Sequence, residues 1–197
     1  MRLILHIGAH RCGSTLIERM LSGAAAPGLR VWAPRDVREI KTFAGVAQMF
    51  DRDGTLKDAD AVTALRDDLA ARLAGLEADG VQTLVISEEN LLGSMVQNFN
   101  RGCLYPMARS RLAAYAAVMP VAPARIALAI REYGAVWNSA YGYAGRRNKG
   151  LRSATAVAAD AVAKTRGWTE VLSAVVEVWP EAEIMLWRQE DLDANAP

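Results

Sequence analysis

Leu3-Ile4-Leu5-His6-Ile7-Gly8-Ala9-His10-Arg11-Cys12-Gly13-Ser14-Thr15-Leu16-Ile17-Glu18-Arg19-Met20-Leu21 reads as strand, glycine-bounded loop and helix. Leu3 to Ile7 is an apolar run of strand length, and Gly8 and Gly13 bracket a tight loop. Leu16, Ile17, Met20 and Leu21 then repeat with helical spacing. Free backbone amides at the start of that helix, and the positive end of its dipole, favour an anion such as a phosphate. The hydroxyls of Ser14 and Thr15 add donors. The competing reading is a glycine-containing strand-to-helix turn that holds no ligand.

The rest of the chain narrows the classes open to this loop. A length of 197 residues, just over half apolar, suits one domain spanning 1–197 around a single core. The formal net charge of +1 and the lack of a basic block argue against general nucleic-acid binding. No apolar run has the length of a membrane span, and the N-terminal run is broken by Gly8 and His10 too early for a signal peptide. The expectation is a cytoplasmic protein. Cys12 and Cys103 are too few for a disulfide framework or a zinc site and read as free thiols. A neutral packing role is expected for Cys12 despite the nearby helix terminus.

Further along, Leu29 to Ala33 forms a second strand, and Asp36 with Glu39 has capping-box spacing for a helix from Val37 into the Phe43 to Phe50 region. Val62, Leu65, Leu69, Leu73 and Leu76 mark one face of a long helix over 59–78, ended by Gly80. Thr83 to Ser87 is a buried strand that delivers Glu88, Glu89 and Asn90 at its carboxyl end, where open α/β sheets bind ligands. Asn98 to Pro106 has no regular period and reads as a loop, followed by a helix through Leu112, Tyr115 and Val118. Arg125 to Ile130 is a fourth strand ending at Arg131, with Ser139 eight residues later on a helical stretch. Arg146, Arg147 and Lys149 form the one locally cationic segment. Helices from Ala154 and around Trp168 to Trp179 precede a fifth strand, Glu183 to Trp187. Five strands alternating with helices imply an α/β fold, a parallel sheet with helices on both faces and its site at the strands' carboxyl ends.

Spacing G-x-x-x-x-G-x-T is that of a P-loop, but Ser14 stands where the Walker lysine belongs, and the strong cation, Arg11, lies inside the loop. In this the chain resembles the P-loop sulfotransferases that use 3′-phosphoadenosine 5′-phosphosulfate (PAPS), in a compact bacterial form. The resemblance implies that Gly8, Ala9, His10, Arg11, Cys12, Gly13, Ser14 and Thr15 cradle the donor's 5′-phosphate. It places Arg11 where the family usually has lysine, and Arg131 and Ser139 on the 3′-phosphate, with Tyr141 where a tyrosine often follows. Glu88 takes the place of the catalytic base, with Glu89, His10 and Glu39 as the other candidates. The expected reaction is sulfuryl transfer to an acceptor hydroxyl of a carbohydrate, lipid or small molecule, with no metal required.

Arg188-Gln189-Glu190-Asp191-Leu192 is similar to a segment after which that family continues into a helix and a basic loop. Here the expectation is that Arg146, Arg147 or Lys149 substitutes, or that the chain is a truncated form. Two alternatives stand beside the enzyme: a non-catalytic nucleotide-binding module of the same fold, and a phosphatase. The second rests on Asp51-Arg52-Asp53-Gly54-Thr55-Leu56, which resembles the nucleophile motif of haloacid-dehalogenase-like phosphatases. An Asp-Gly turn before a helix explains it better.

Overall fold

The computed structural model describes residues 1–46, 59–146, 152–164 and 166–194; the phosphatase-like motif at 51–56 and the cations Arg147 and Lys149 lie outside them. Five strands, β1 (Arg2–His6), β2 (Leu29–Trp32), β3 (Thr83–Ser87), β4 (Arg125–Ile130) and β5 (Glu183–Arg188), form one sheet in the order β2-β3-β1-β4-β5. All neighbours are parallel; β1 pairs Leu3 with Leu84 on one side and Leu5 with Ile126 on the other. The strands are central because their sequences are apolar enough to be buried. Leu5, Ile7, Leu84, Ile126 and Leu128 are fully buried, each side chain worth roughly 1.5–3 kcal/mol of transfer free energy.

This strand order also positions a crevice. After β1 the chain moves outward past β3 to β2, whereas after β4 it moves the opposite way to β5. The two loops leaving β1 and β4 therefore diverge, and an open α/β sheet binds ligands in the gap between such strands.

Helices surround the sheet: α1 (Ser14–Ser22), α2 (Pro34–Glu39), α3 (Lys41–Val46), α4 (Ala59–Ala78), α5 (Met95–Arg101), α6 (Ala108–Val118), α7 (Tyr133–Gly145), α8 (Ala154–Ala163), α9 (Trp168–Val178) and α10 (Gln189–Ala194). On α4, Leu69 and Leu73 are buried and Val62, Leu65 and Leu76 pack on the core, while Arg72 pairs with Asp68 at 3.0 Å on the wet side. That is the amphipathic division its spacing predicts.

Two expectations are corrected. The first concerns the helix after β2, which starts at Pro34, not Val37, with Asp36 inside it accepting a hydrogen bond from the Ala33 amide at 2.9 Å. Proline suits that first helical position because its missing N–H has no partner there anyway. This helix also stops at Ile40, whose extended backbone separates α2 from α3 and lets Ile40 and Phe43 both reach the core. Glu39 is left on the surface against Arg35. The second concerns Asn98–Pro106, where α5 occupies the first part. Ser94 accepts a hydrogen bond from the Gln97 amide, Gln97 reaches back to the Ser94 amide, and Gly102 at φ 62° ends the helix.

Candidate functional site

The loop after β1 is held by its own backbone and by one buried phenol. Gly8 and Gly13 adopt φ of 46° and 82°, and Arg11 sits at 67°, a conformation that non-glycine residues rarely adopt. The Cys12 amide donates to the Ala9 carbonyl at 3.1 Å, and the His10 amide donates to the hydroxyl of Tyr105 at 2.7 Å. Those two amides are committed to the loop's own fold. The donors left at the head of α1 are the amides of Gly13, Ser14 and Thr15, which precede the first intrahelical bonds. Cys12 is buried, and burial pushes its thiol up to about 12, so it packs as a neutral group.

On the β4 side, three residues far apart in sequence converge. Arg11 Nε donates to Ser139 Oγ at 2.8 Å across 128 positions, and its guanidinium stands 5.2 Å from the ring centre of Tyr143 on the same helix. Arg131, directly after β4, donates from a terminal nitrogen to the Arg11 carbonyl at 3.0 Å. Its Nε is buried with no acceptor. Trp168 fixes this corner by donating from its indole to the Arg131 carbonyl at 2.7 Å. The Arg11 side chain thus reaches Ser139 while the Arg131 side chain reaches the Arg11 backbone, which gathers two cations and a hydroxyl around one loop, a donor set suited to a multiply charged anion. The space above Gly13 is limited by Gln189, the first residue of α10, whose side-chain amide would collide with any Cβ at that position.

On the β3 side lies a carboxylate cluster. Glu88 is 4% exposed and forks with Arg38 of α2, Nε to Oε2 at 2.8 Å and the second bond to Oε1 at 3.0 Å. Oε1 also accepts from the amide and the side chain of Asn90 at 2.9 and 2.5 Å. Both oxygens of Glu88 are thus engaged by Arg38, which this carboxylate anchors, and Oε2 carries that single bond. Glu89 lies beside it, against Gly8, whose added Cβ would come within 3.2 Å of the Glu89 Cβ. His10 Nε2 is 3.1 Å from the Gly93 carbonyl, and its Nδ1 is 4.0 Å from Glu89. Burial keeps His10 below the usual imidazole range in spite of that carboxylate. Beneath the loop, His6 is buried, its Nδ1 2.7 Å from Ser87 Oγ, and burial takes it down to about 4.

The comparisons with known proteins fit this frame. A solved structure of a sulfotransferase from Alicyclobacillus acidocaldarius superposes over 99% of this chain and 76% of its own, with a TM-score of 0.55 and 14% sequence identity. The fold is shared. No family model matches the sequence, and no curated protein matches it either. At that identity the likeness speaks for the architecture alone.

Of the residues singled out in the sequence, the fold brings Arg11, Arg131 and Ser139 together and sets Glu88 and Glu89 across the loop from them. Arg146 is exposed at the end of α7, two turns beyond Ser139, about 10 Å along the helix axis. Tyr141 points elsewhere, its hydroxyl donating to the Arg152 carbonyl at 3.3 Å. Arg38, Gln189 and Glu18 join the site without having been expected there. Only Gln189 carried a signal, as the residue leaving a strand's carboxyl end. Among the described residues, no group of three or more histidine, cysteine, aspartate or glutamate side chains could hold a metal, and no helix is long and apolar enough to cross a membrane.

Proposed function

We propose that this protein transfers a sulfuryl group from PAPS to an acceptor hydroxyl. The observation that carries this reading is the joined cluster in which Arg11 bonds to Ser139 and Arg131 bonds to the Arg11 carbonyl. A nucleotide with two separate phosphates needs two cationic cradles at a fixed spacing, and this crevice offers a helix start with Arg11 and a strand end with Arg131. The buried, unpartnered Nε of Arg131 fits an anionic oxygen, since a buried N–H without an acceptor is costly. When bound, the donor supplies an electron-poor sulfur and a phosphate leaving group.

What the chain supplies is position and charge. Gly13, Ser14 and Thr15 hold the 5′-phosphate with amides and hydroxyls. Arg131 holds the 3′-phosphate, joined there by Ser139. Arg11 stands between them, where negative charge grows on the leaving oxygen, and stabilises it without giving up a proton. The hydroxyl acceptor approaches from the opposite side, over Glu88 and Glu89, so that attacking and leaving oxygens lie in line.

Transfer from labelled PAPS to a panel of carbohydrate, phenolic and lipid hydroxyls tests this reading. Arg11→Ala should lower kcat by roughly 100- to 1,000-fold, the usual loss for one donor at a developing oxyanion. No transfer to any acceptor, with nucleotide binding intact, would make the chain a binding module.

A further inference from the structure

We infer that Glu18 and Glu89 share a single proton and that this pair, not Glu88, receives the proton of the acceptor hydroxyl. The inference rests on the sulfotransferase reading for its catalytic half alone. Glu18 lies on α1, one turn after Ser14, and reaches back beside Glu89 below the loop. Oε1 of Glu18 and Oε2 of Glu89 are both buried and neither has a donor in the structure. Two buried carboxylate oxygens without donors are costly, and adjacent carboxylates repel. One proton on Oε1 of Glu18, donated to Oε2 of Glu89, removes both penalties.

The surrounding groups set which partner keeps it. Glu88 from the end of β3 adds negative charge, Arg38 from α2 lies 3.5 Å from Oε1 of Glu89, and His10 from the loop lies 4.0 Å from the same oxygen. His6, at the end of β1, also feels the Glu89 charge but is neutral. Burial, followed by the hydrogen bond and charge of Glu89 and the charge of Glu88, pushes the Glu18 carboxyl up to about 8. For Glu89 burial acts upward, but the hydrogen bond with Glu18 and the nearby His10 and Arg38 outweigh it and hold the group below its ordinary value. At neutral pH Glu18 is the acid and Glu89 the carboxylate.

Glu88 is the more engaged of the two carboxylates, since Arg38 binds both of its oxygens and Asn90 adds two bonds to Oε1. Oε1 of Glu89, by contrast, lies 3.5 Å from Arg38 and 4.0 Å from His10. In the transfer step the hydroxyl proton passes to Oε1 of Glu89 as the hydroxyl oxygen forms the new S–O bond. The donor's S–O bond to phosphate breaks, and its electron pair leaves with the bisphosphate. Glu18 keeps its own proton throughout and holds Glu89 in place.

The test has one readout that needs no activity. An acid whose folded pKa is raised keeps its proton in the folded state after the unfolded chain has lost it, so stability falls as pH rises between the two values. The wild-type Tm should therefore fall relative to that of Glu18→Gln from about pH 4.5 to about pH 8. Glu89→Gln, which removes the charge that raises Glu18, should weaken the same gradient and serves if Glu18→Gln fails to fold. A Tm difference independent of pH in both variants overturns the shared proton. For the catalytic half, Glu89→Gln should cost about 100-fold or more in kcat/KM with unchanged affinity for 3′,5′-adenosine bisphosphate. Full activity in Glu89→Gln overturns its role as base, whereas absent bisphosphate binding in the wild type with the Tm gradient present would fault the sulfotransferase reading and spare the pair.

Discussion

Gly13 concentrates the residue-scale demands of the site. Its φ of 82° is a conformation that costs an L-residue roughly 1–2 kcal/mol, and the Gln189 side chain closes the space where a Cβ would go. Gly13→Ala should therefore lower ΔG of urea unfolding by at least that strain and disturb the contact between the loop and α10. Gly75, in the last turn of α4 with nothing within 4 Å of an added Cβ, provides the contrast. There alanine should raise stability by about 0.5–1 kcal/mol in the same measurement, because only the entropic cost of glycine in a helix changes. Equal effects at the two positions would contradict this account of the loop.

At the scale of elements, α5 shows what one cap contributes. Ser94→Ala removes the oxygen that accepts from the Gln97 amide and should cost about 1 kcal/mol, measured as a fall in ΔG of urea unfolding with m unchanged. The helix also shows why some elements were legible in the sequence and others were not. The bounds of β3 and β4 could be read directly, because a buried parallel strand is a short, nearly unbroken apolar run. Ser94 and Gln97 mark the start of α5 equally plainly, yet its polar and aromatic residues have no clean period, which masks that cap. The break at Ile40 has no local signal at all: it exists because Ile40 and Phe43 both reach the core once the backbone turns. The site divides in the same way. Arg11 and Arg131 follow strands, so topology alone brings them near one edge; Ser139, in the middle of α7, arrives there because that helix starts directly after β4. Arg38, Tyr105 and Glu18 act through contacts between distant segments, and the engagement of Glu88 with Arg38 follows from the packing of α2, which spacing along the chain does not reveal.

For the molecule as a whole, the strand order β2-β3-β1-β4-β5 divides the carboxyl edge into two halves around β1. Arg11 and Arg131 stand on the β4 half, and Glu88 and Glu89, paired with Arg38, on the β3 half, with the loop's amides between them. Such a division suits a reaction that binds an anionic donor at one end and removes a proton from a neutral acceptor at the other. The central element of the proposal is a donor site built from Arg11, Arg131 and Ser139, and the most direct measurement is calorimetric titration with 3′,5′-adenosine bisphosphate in magnesium-free buffer. The wild-type protein should bind it, and Arg131→Ala should bind roughly 10- to 100-fold more weakly, as the loss of charge-assisted hydrogen bonds worth about 1.5–3 kcal/mol requires. Failure of the wild type to bind the bisphosphate, or a preference for ATP that depends on magnesium, would contradict the account.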